Sequence, residues 1–223
     1  MIVVPPTAGA QNPAYGLPNN TKTAKGGFCV ILIFVKKVLN KSFFARPTPL
    51  VARELLGKFL VRQINGTRQS IALMITESEA YDGFKDRGSH AHRGQTARNQ
   101  PMFGPPGHWY VYITYGLHWM LNIVTREAGY PAAVLIRGGI TLSNSRELES
   151  MRKLNGPGRL TSYLEIDGEL SNRAAAPATG LWIEDRGVKI RRGKVKNGKR
   201  IGIDYAGPYW AVRRWRYWLD ASD

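Results

Sequence analysis

Cysteine is almost missing from this chain: Cys29 is the single thiol in 223 residues. That excludes an intramolecular disulfide and any multi-cysteine zinc site, and it allows a reducing compartment. Long apolar runs are missing too. The longest, FCVILIFV at Phe28–Val35, falls far short of the roughly 20 residues of a spanning helix. It also starts too late, behind a Pro/Asn/Gly-rich stretch, to serve as a signal peptide, so a soluble protein is expected. Acid is the third scarcity. Sixteen Asp+Glu face 32 Lys+Arg, for a net charge of +16 and a pI near 10.2. Such a balance calls for a polyanionic partner, either nucleic acid or an anionic membrane surface. No amphipathic helix of useful length supports the membrane, whereas six Trp and ten Tyr set among the cations suit bases and sugars.

What is present reads as one mixed α/β domain behind a leader. Pro5, Pro6, Pro13, Pro18, Asn19-Asn20 and Gly26-Gly27 break regular structure, so residues 1–41 are expected to be a mostly disordered leader, with order from Ser42 to the end at 223. Phe28–Val38 could add an edge strand. Thr48 as N-cap, Pro49 at the first helical position and Gly57 as a stop predict a helix over Pro49–Leu56. Asn65-Gly66 predicts a hairpin between Lys58–Ile64 and Thr67–Thr76. Trp109–Thr114 and Trp119–Thr125 predict a second hairpin, and Ala132–Arg137 a further strand. Ser143 or Ser145 could cap a helix ending near Leu154, Arg159–Leu164 could be another, and several short strands fill Leu181–Asp223 around Asn197-Gly198 and Gly207-Pro208. The intervening loop Phe84–Pro106 is long enough to suggest a functional role.

Chemistry concentrates in IALMITESEAYDG, Ile71–Gly83. If the strand is regular, Glu77, Glu79 and Tyr81 share the face of Ile71, Leu73 and Ile75. A carboxylate leaving an apolar core is partly desolvated and so a usable proton acceptor, although two Glu at a strand end are more often simply solvated. Tyr115, beside Gly116 at a hairpin tip, has the placement of a wedge pushed between base pairs. An ordinary surface aromatic explains it as well. His90, His92, His108 and His118 match no metal-binding spacing on a predictable scaffold. The run Arg186, Lys189, Arg191, Arg192, Lys194, Lys196, Lys199 and Arg200 is either a solvated face or a phosphate-facing one.

The strings FFARPT (Phe43–Thr48) and VARELLGK (Val51–Lys58), then ESEAY (Glu77–Tyr81), His90, TARN (Thr96–Asn99), YVYITYG (Tyr110–Gly116), LNI (Leu121–Ile123), LIR (Leu135–Arg137) and GPGRL (Gly156–Leu160) together resemble the alkyladenine (3-methyladenine) DNA glycosylase family. The resemblance spans nearly all of residues 42–205 in order, and leaves the leader out. It implies an α+β domain with a largely antiparallel curved sheet and short helices, similar to the C-terminal domain of methionyl-tRNA formyltransferases. It further implies a monofunctional repair enzyme, monomeric, without metal or cofactor, acting on double-stranded DNA in the cytoplasm at a bacterial nucleoid or, in a eukaryote, in the nucleus. Damaged purines of the 3-methyladenine, 7-methylguanine and hypoxanthine type would be flipped out and their N-glycosidic bond hydrolysed. Carried onto this chain, Glu79 resembles the base that activates water and Arg137 its partner in holding that water. Tyr81, His90 and Tyr112 resemble the residues that sandwich the base, Tyr115 the residue filling the vacated stack, and Asn122 the one crowding the purine's minor-groove edge. Tyr205 stands where some members carry histidine. A non-catalytic nucleic-acid-binding module of the same fold is the alternative, and Glu79 with Arg137 in one pocket argues against it.

Overall fold

The computed structural model describes residues 36–64, 69–141, 152–191 and 193–220. Its centre is β3 (Ser70–Asp82), 13 residues long. β2 (Phe59–Gln63) pairs with its first half, from Phe59 opposite Met74 to Gln63 opposite Ser70, and the Asn65-Gly66 turn between them lies outside the described residues. β10 (Arg216–Leu219) pairs with the second half of the same edge, Arg216 opposite Glu79. β6 (Ala132–Thr141) lines the other edge throughout. The hairpin of β4 (Trp109–Thr114) and β5 (His118–Val124) continues the sheet beyond β6. On the far side come β8 (Leu181–Asp185) and β1 (Lys37–Val38), while β7 (Lys153–Asn155) joins β6 and β9 (Val195–Gly198) joins β10. Every strand pairing is antiparallel. The mixed α/β fold with a large antiparallel sheet is therefore as expected.

Among the described residues, four short α-helices accompany the sheet: α1 (Lys41–Phe44), α2 (Thr48–Glu54), α3 (Pro157–Tyr163) and α4 (Gly207–Ala211). Val51, Ala52 and Leu55 of and beside α2 are fully buried in one cluster with Leu73, Ile75, Ala80 and Ile136. Burying a side chain of this size contributes about 1.5–3 kcal/mol, so propensity alone need not sustain so short a helix.

Several expectations change. α2 starts at Thr48, not Pro49, with Pro47 at the cap position and no side-chain cap. The Thr48 hydroxyl is otherwise engaged, donating to Asp82 at 2.7 Å and meeting the Thr125 hydroxyl at 2.9 Å. Gly57, at φ 82, does end the segment. The strand beginning at Ala132 does not stop at Arg137 but runs to Thr141. Of the helix proposed from Ser143 or Ser145 to Leu154, residues 142–151 lie outside the description. Its end is β7 instead, with Leu154 buried between exposed Lys153 and Asn155 and Leu154 opposite Gly139. Gly207-Pro208 opens α4 rather than joining strands, because proline's fixed φ suits a first helical turn. Within the stretch read as a leader, Lys37–Val38 already pairs with β8.

β3 is not regular either. Ile75 lies opposite Gly139, Glu77 opposite Gly138 and Ser78 opposite Ile136. One extra residue, Thr76, therefore bulges from β3, and a compensating one, Arg137, from β6. Paired bulges bend the sheet and re-aim side chains, so a single alternation does not carry the face of Ile75 through to Glu79. Beyond the bulge, Ser78 donates to the Ala52 carbonyl at 2.7 Å on the α2 side.

The long loop 83–108 is held down by one ion pair. Arg200 and Asp86, both with fully buried side chains, meet through two bonds of 2.6 and 2.7 Å. Arg200 also donates to the Ala80 carbonyl, and Asp86 accepts from the backbone N–H groups of Asp82 and Gly88. Arg200→Met leaves Asp86 buried without its cation, so a loss of about 3–5 kcal/mol is expected in a urea melt. Adding Asp86→Asn to Arg200→Met should recover part of that loss; a double variant no more stable than Arg200→Met would show that the pair carries no such charge penalty.

Candidate active site

β3, β4, β5 and β6, with the segments 88–102 and 201–205, enclose a cavity of about 370 Å³. This lies within the range of about 300–1,000 Å³ typical of small-molecule sites. Tyr81, His90, Tyr112, Tyr115, Asn122 and Arg137 all line it. Glu79 sits against it through its contacts with Tyr81 and Arg137. All seven residues singled out from the sequence thus converge.

Glu79 is fully buried. Its Oε2 accepts the Tyr81 hydroxyl at 2.8 Å, and its Oε1 accepts the Ile201 N–H at 2.8 Å. The Arg137 Nε stands 3.5 Å from Oε1. Burial pushes the carboxyl above its ordinary value, while Arg137, the Ile201 N–H and the Tyr81 hydroxyl draw it down. Each carboxylate oxygen can accept more than one hydrogen, so the group retains capacity for a further donor such as water.

Glu77, two residues away, is in another situation. Its Oε1 takes Arg137 Nε at 3.1 Å and Arg216 Nε at 2.7 Å, and its side chain is 17% exposed. Arg137 is therefore shared between two carboxylates and lies nearer to Glu77 than to Glu79.

The aromatic walls are linked to one another. His90 Nδ1 lies 3.0 Å from the Tyr110 hydroxyl, and its ring meets that of Tyr112 edge-on at 4.7 Å. Burial, followed by the nearby Arg98 cation, lowers the His90 pKa, so the imidazole is neutral near pH 7. Burial likewise pushes Tyr112 up to about 12 and Tyr81 well above its ordinary value. Neutral aromatic rings therefore form one part of the lining, beside the cations Arg98 and Arg137. Asn122 is 3% exposed and uses Nδ2 to donate to the carbonyls of Tyr110 and Met120 at 3.1 and 3.3 Å. Its amide is pinned to backbone on one side and faces the cavity on the other.

Tyr115 is 91% exposed at φ 52, followed by Gly116 at φ 68. The Leu117 N–H donates to the Thr114 carbonyl at 3.1 Å, closing a turn around Tyr115 and Gly116 within the three-residue connection from Thr114 to its partner His118. A non-glycine residue in this region costs about 1–3 kcal/mol, and such strain gathers at functional sites.

Two participants escaped the sequence reading. Ile201 supplies a backbone N–H to Glu79, a role no side chain announces. Arg200 hides inside the basic run, yet its guanidinium stacks 4.7 Å over Tyr81 and 5.3 Å over Trp215. Arg186 also leaves that run's solvent face, bonding Glu184 at 2.8 Å, and Arg192 lies outside the described residues. Tyr205 lines the cavity mouth while 72% exposed.

An aromatic pocket with one fully buried carboxylate behind Tyr81 and Arg137, in a strongly basic domain, belongs to the class of proteins that act on nucleic-acid bases. The family model of methylpurine-DNA glycosylase (MPG) matches residues 42–223. Similar chains, provisionally named 3-methyladenine DNA glycosylases, include that of Methanocella arvoryzae, 44% identical over 81% of this chain and 92% of its own length. That of Streptomyces avermitilis is 43% identical over 82% and 87%, and that of Psychrobacter cryohalolentis 40% identical over 83% and 94%. The chain belongs to the methylpurine-DNA glycosylase family, whose members are DNA repair proteins recognising alkylated bases.

The shared Arg137 generates a pH test. If the activity depends on ionised Glu79, it should fall as pH drops through the carboxyl's pKa, which burial holds above its ordinary value. Glu77→Gln removes a neighbouring anion that raises the Glu79 pKa and releases Arg137 toward Glu79. Both changes favour ionised Glu79, so the acid limb should move to lower pH in single-turnover profiles. A limb that stays put, or moves up, would disconnect Glu77 from this site.

Proposed function

We propose that this protein is a monofunctional purine DNA glycosylase. It rotates an alkylated or deaminated purine nucleotide out of duplex DNA and hydrolyses its N-glycosidic bond with a water activated by Glu79. The observation carrying this reading is Glu79 itself: a fully buried carboxylate held by Tyr81 and Ile201 beside a pocket of aromatic rings. Such a group has little structural purpose, since burying a charge without need is costly.

The steps follow from the parts. Tyr115, held outward on a strained turn, enters the duplex and occupies the space of the departing nucleotide. The extruded base lies among Tyr81, His90 and Tyr112. Purines alkylated at N3 or N7 are cationic, and aromatic faces favour a cation over a neutral ring. A cationic base also leaves with little acid help, so one carboxylate and one water suffice where most glycosidases use two carboxylates. Glu79 takes the proton of the water, and Arg137, 3.5 Å away, steadies the anion and the attacking oxygen. Asn122 rejects guanine, which differs from hypoxanthine by one amino group at C2. With both amide hydrogens committed to Tyr110 and Met120, the side chain is held in place and offers the pocket no donor of its own. The reaction takes place on chromosomal DNA, and the protein works as a monomer.

Glu79→Gln should retain affinity for lesion duplex within a few-fold while base release drops by roughly two to four decades, the reach of a general base. Duplexes carrying single lesions, followed by alkaline cleavage of abasic sites, read this directly. Wild-type protein that binds but releases no base from any of them would leave a binding module. Asn122→Ser should raise the slow release of guanine and narrow its discrimination from hypoxanthine. Unchanged discrimination in a folded variant reduces Asn122 to a packing residue.

A further inference from the structure

A second, more open cleft of about 750 Å³ lies on the opposite flank of the β4–β5 hairpin. The two spaces share no lining residue. Tyr110, Tyr112, Met120 and Asn122 of the hairpin face the first, whereas Leu117, His118 and Trp119 face the second. Its other wall is β7 and α3, bringing Arg152, Lys153 and Arg159. These three cations are exposed, and among the described residues none forms an ion pair and no acidic residue lines the cleft.

The walls are fixed relative to the hairpin. Thr161 Oγ1 donates to the Trp119 carbonyl at 2.9 Å, and a Cβ added at Gly158 would lie 3.0 Å from the His118 ring. The Arg152 guanidinium rests 5.8 Å over Tyr163. Leu117, 76% exposed, joins the cleft to the Tyr115 tip only two residues away. Among the described residues the groove carries cations alone, and it runs up to the Tyr115 tip.

We propose that this cleft binds the phosphodiester backbone of the undamaged strand opposite the lesion. The inference rests on the glycosylase reading and deepens it. With Tyr115 between the strands, the lesion nucleotide leaves along the flank holding Tyr112 and Asn122. The other flank of the same hairpin is then turned toward the partner strand. Unpaired cations along a groove are what a phosphate chain requires, and Leu117 and Trp119 offer apolar surface to its sugars. Occupying both flanks lets the hairpin grip the duplex while one strand is distorted.

The test is the triple variant Arg152→Gln/Lys153→Gln/Arg159→Gln, with binding measured against salt. One probe is a duplex with a stable abasic-site analogue in one strand; the other is that same strand alone. For the duplex, the log–log salt slope should fall by about 3, near one unit for each phosphate no longer neutralised. Affinity at moderate salt should fall ten-fold or more, and single-strand affinity should hold within two-fold. Equal losses on both probes would overturn the proposal by placing the lesion strand in the cleft, and an unchanged duplex slope would overturn it by leaving the cleft to solvent. Arg152→Gln and Arg159→Gln alone should each remove about one unit, which keeps the test decisive if the triple variant melts early. Wild-type protein that binds these abasic duplexes but releases no base from the separate single-lesion duplexes would instead defeat the glycosylase reading, leaving the cleft assignment to be judged by the slopes.

Discussion

The ion pair between Asp86 and Arg200 is the constraint on which the pocket depends. It joins two segments 114 residues apart, each of which forms one wall. Gly88, Ser89 and His90 follow Asp86, and Ile201, Gly202 and Ile203 follow Arg200. With the pair closed, the Ile201 N–H meets Glu79, the guanidinium backs the Tyr81 ring, and Tyr205 reaches the Gly88 carbonyl at 3.4 Å across the mouth. A buried pair is a weak source of net stability, because desolvation offsets most of its attraction. Its value here is in register: a bidentate fork between planar groups permits few alternative dockings of the two loops.

The second constraint is the balance around Glu79. In its proposed role as base the carboxylate must be ionised, yet burial favours the neutral acid. Arg137, the Ile201 amide and the Tyr81 hydroxyl hold the anion without swamping its basicity. Glu77 completes the balance by taking Arg137 at 3.1 Å and Arg216 at 2.7 Å. Were Arg137 wholly given to Glu79, the carboxylate would become a structural counter-ion and a poorer proton acceptor. The opposed bulges at Thr76 and Arg137 make this sharing possible, since they move the cation off the regular side-chain lattice of the sheet.

Charge is divided by purpose across the molecule. Arg137, Arg200 and Arg216 are paired with acids, Arg200 with its side chain fully buried. Arg152, Lys153, Arg159, Lys189, Arg191 and Lys199 remain exposed. The excess of +16 therefore overstates the field at the pocket and describes the outer surface better, where a polyanion is first encountered.

Much of the fold was legible in the sequence. Alternation located the strands, Asn65-Gly66 indicated the β2–β3 hairpin, and Tyr115-Gly116 stood at a tip because a turn with two positive φ angles favours glycine. The seven pocket residues came from family strings, with periodicity supplying only their strands. Short elements were less readable: Lys153–Asn155 became a strand because β6 offered it an edge, information that no local window contains. What only the tertiary structure decided is which of several identical residues does what. Arg200 and Arg191 belong to one basic run, yet the first is buried on Asp86 and the second is exposed. Glu77 and Glu79 are the same residue on the same strand. One is tied to two arginines near the surface, while the other is sealed beneath the Ile201 amide, because solvent access and long-range partners, not residue type, set the properties of a carboxylate.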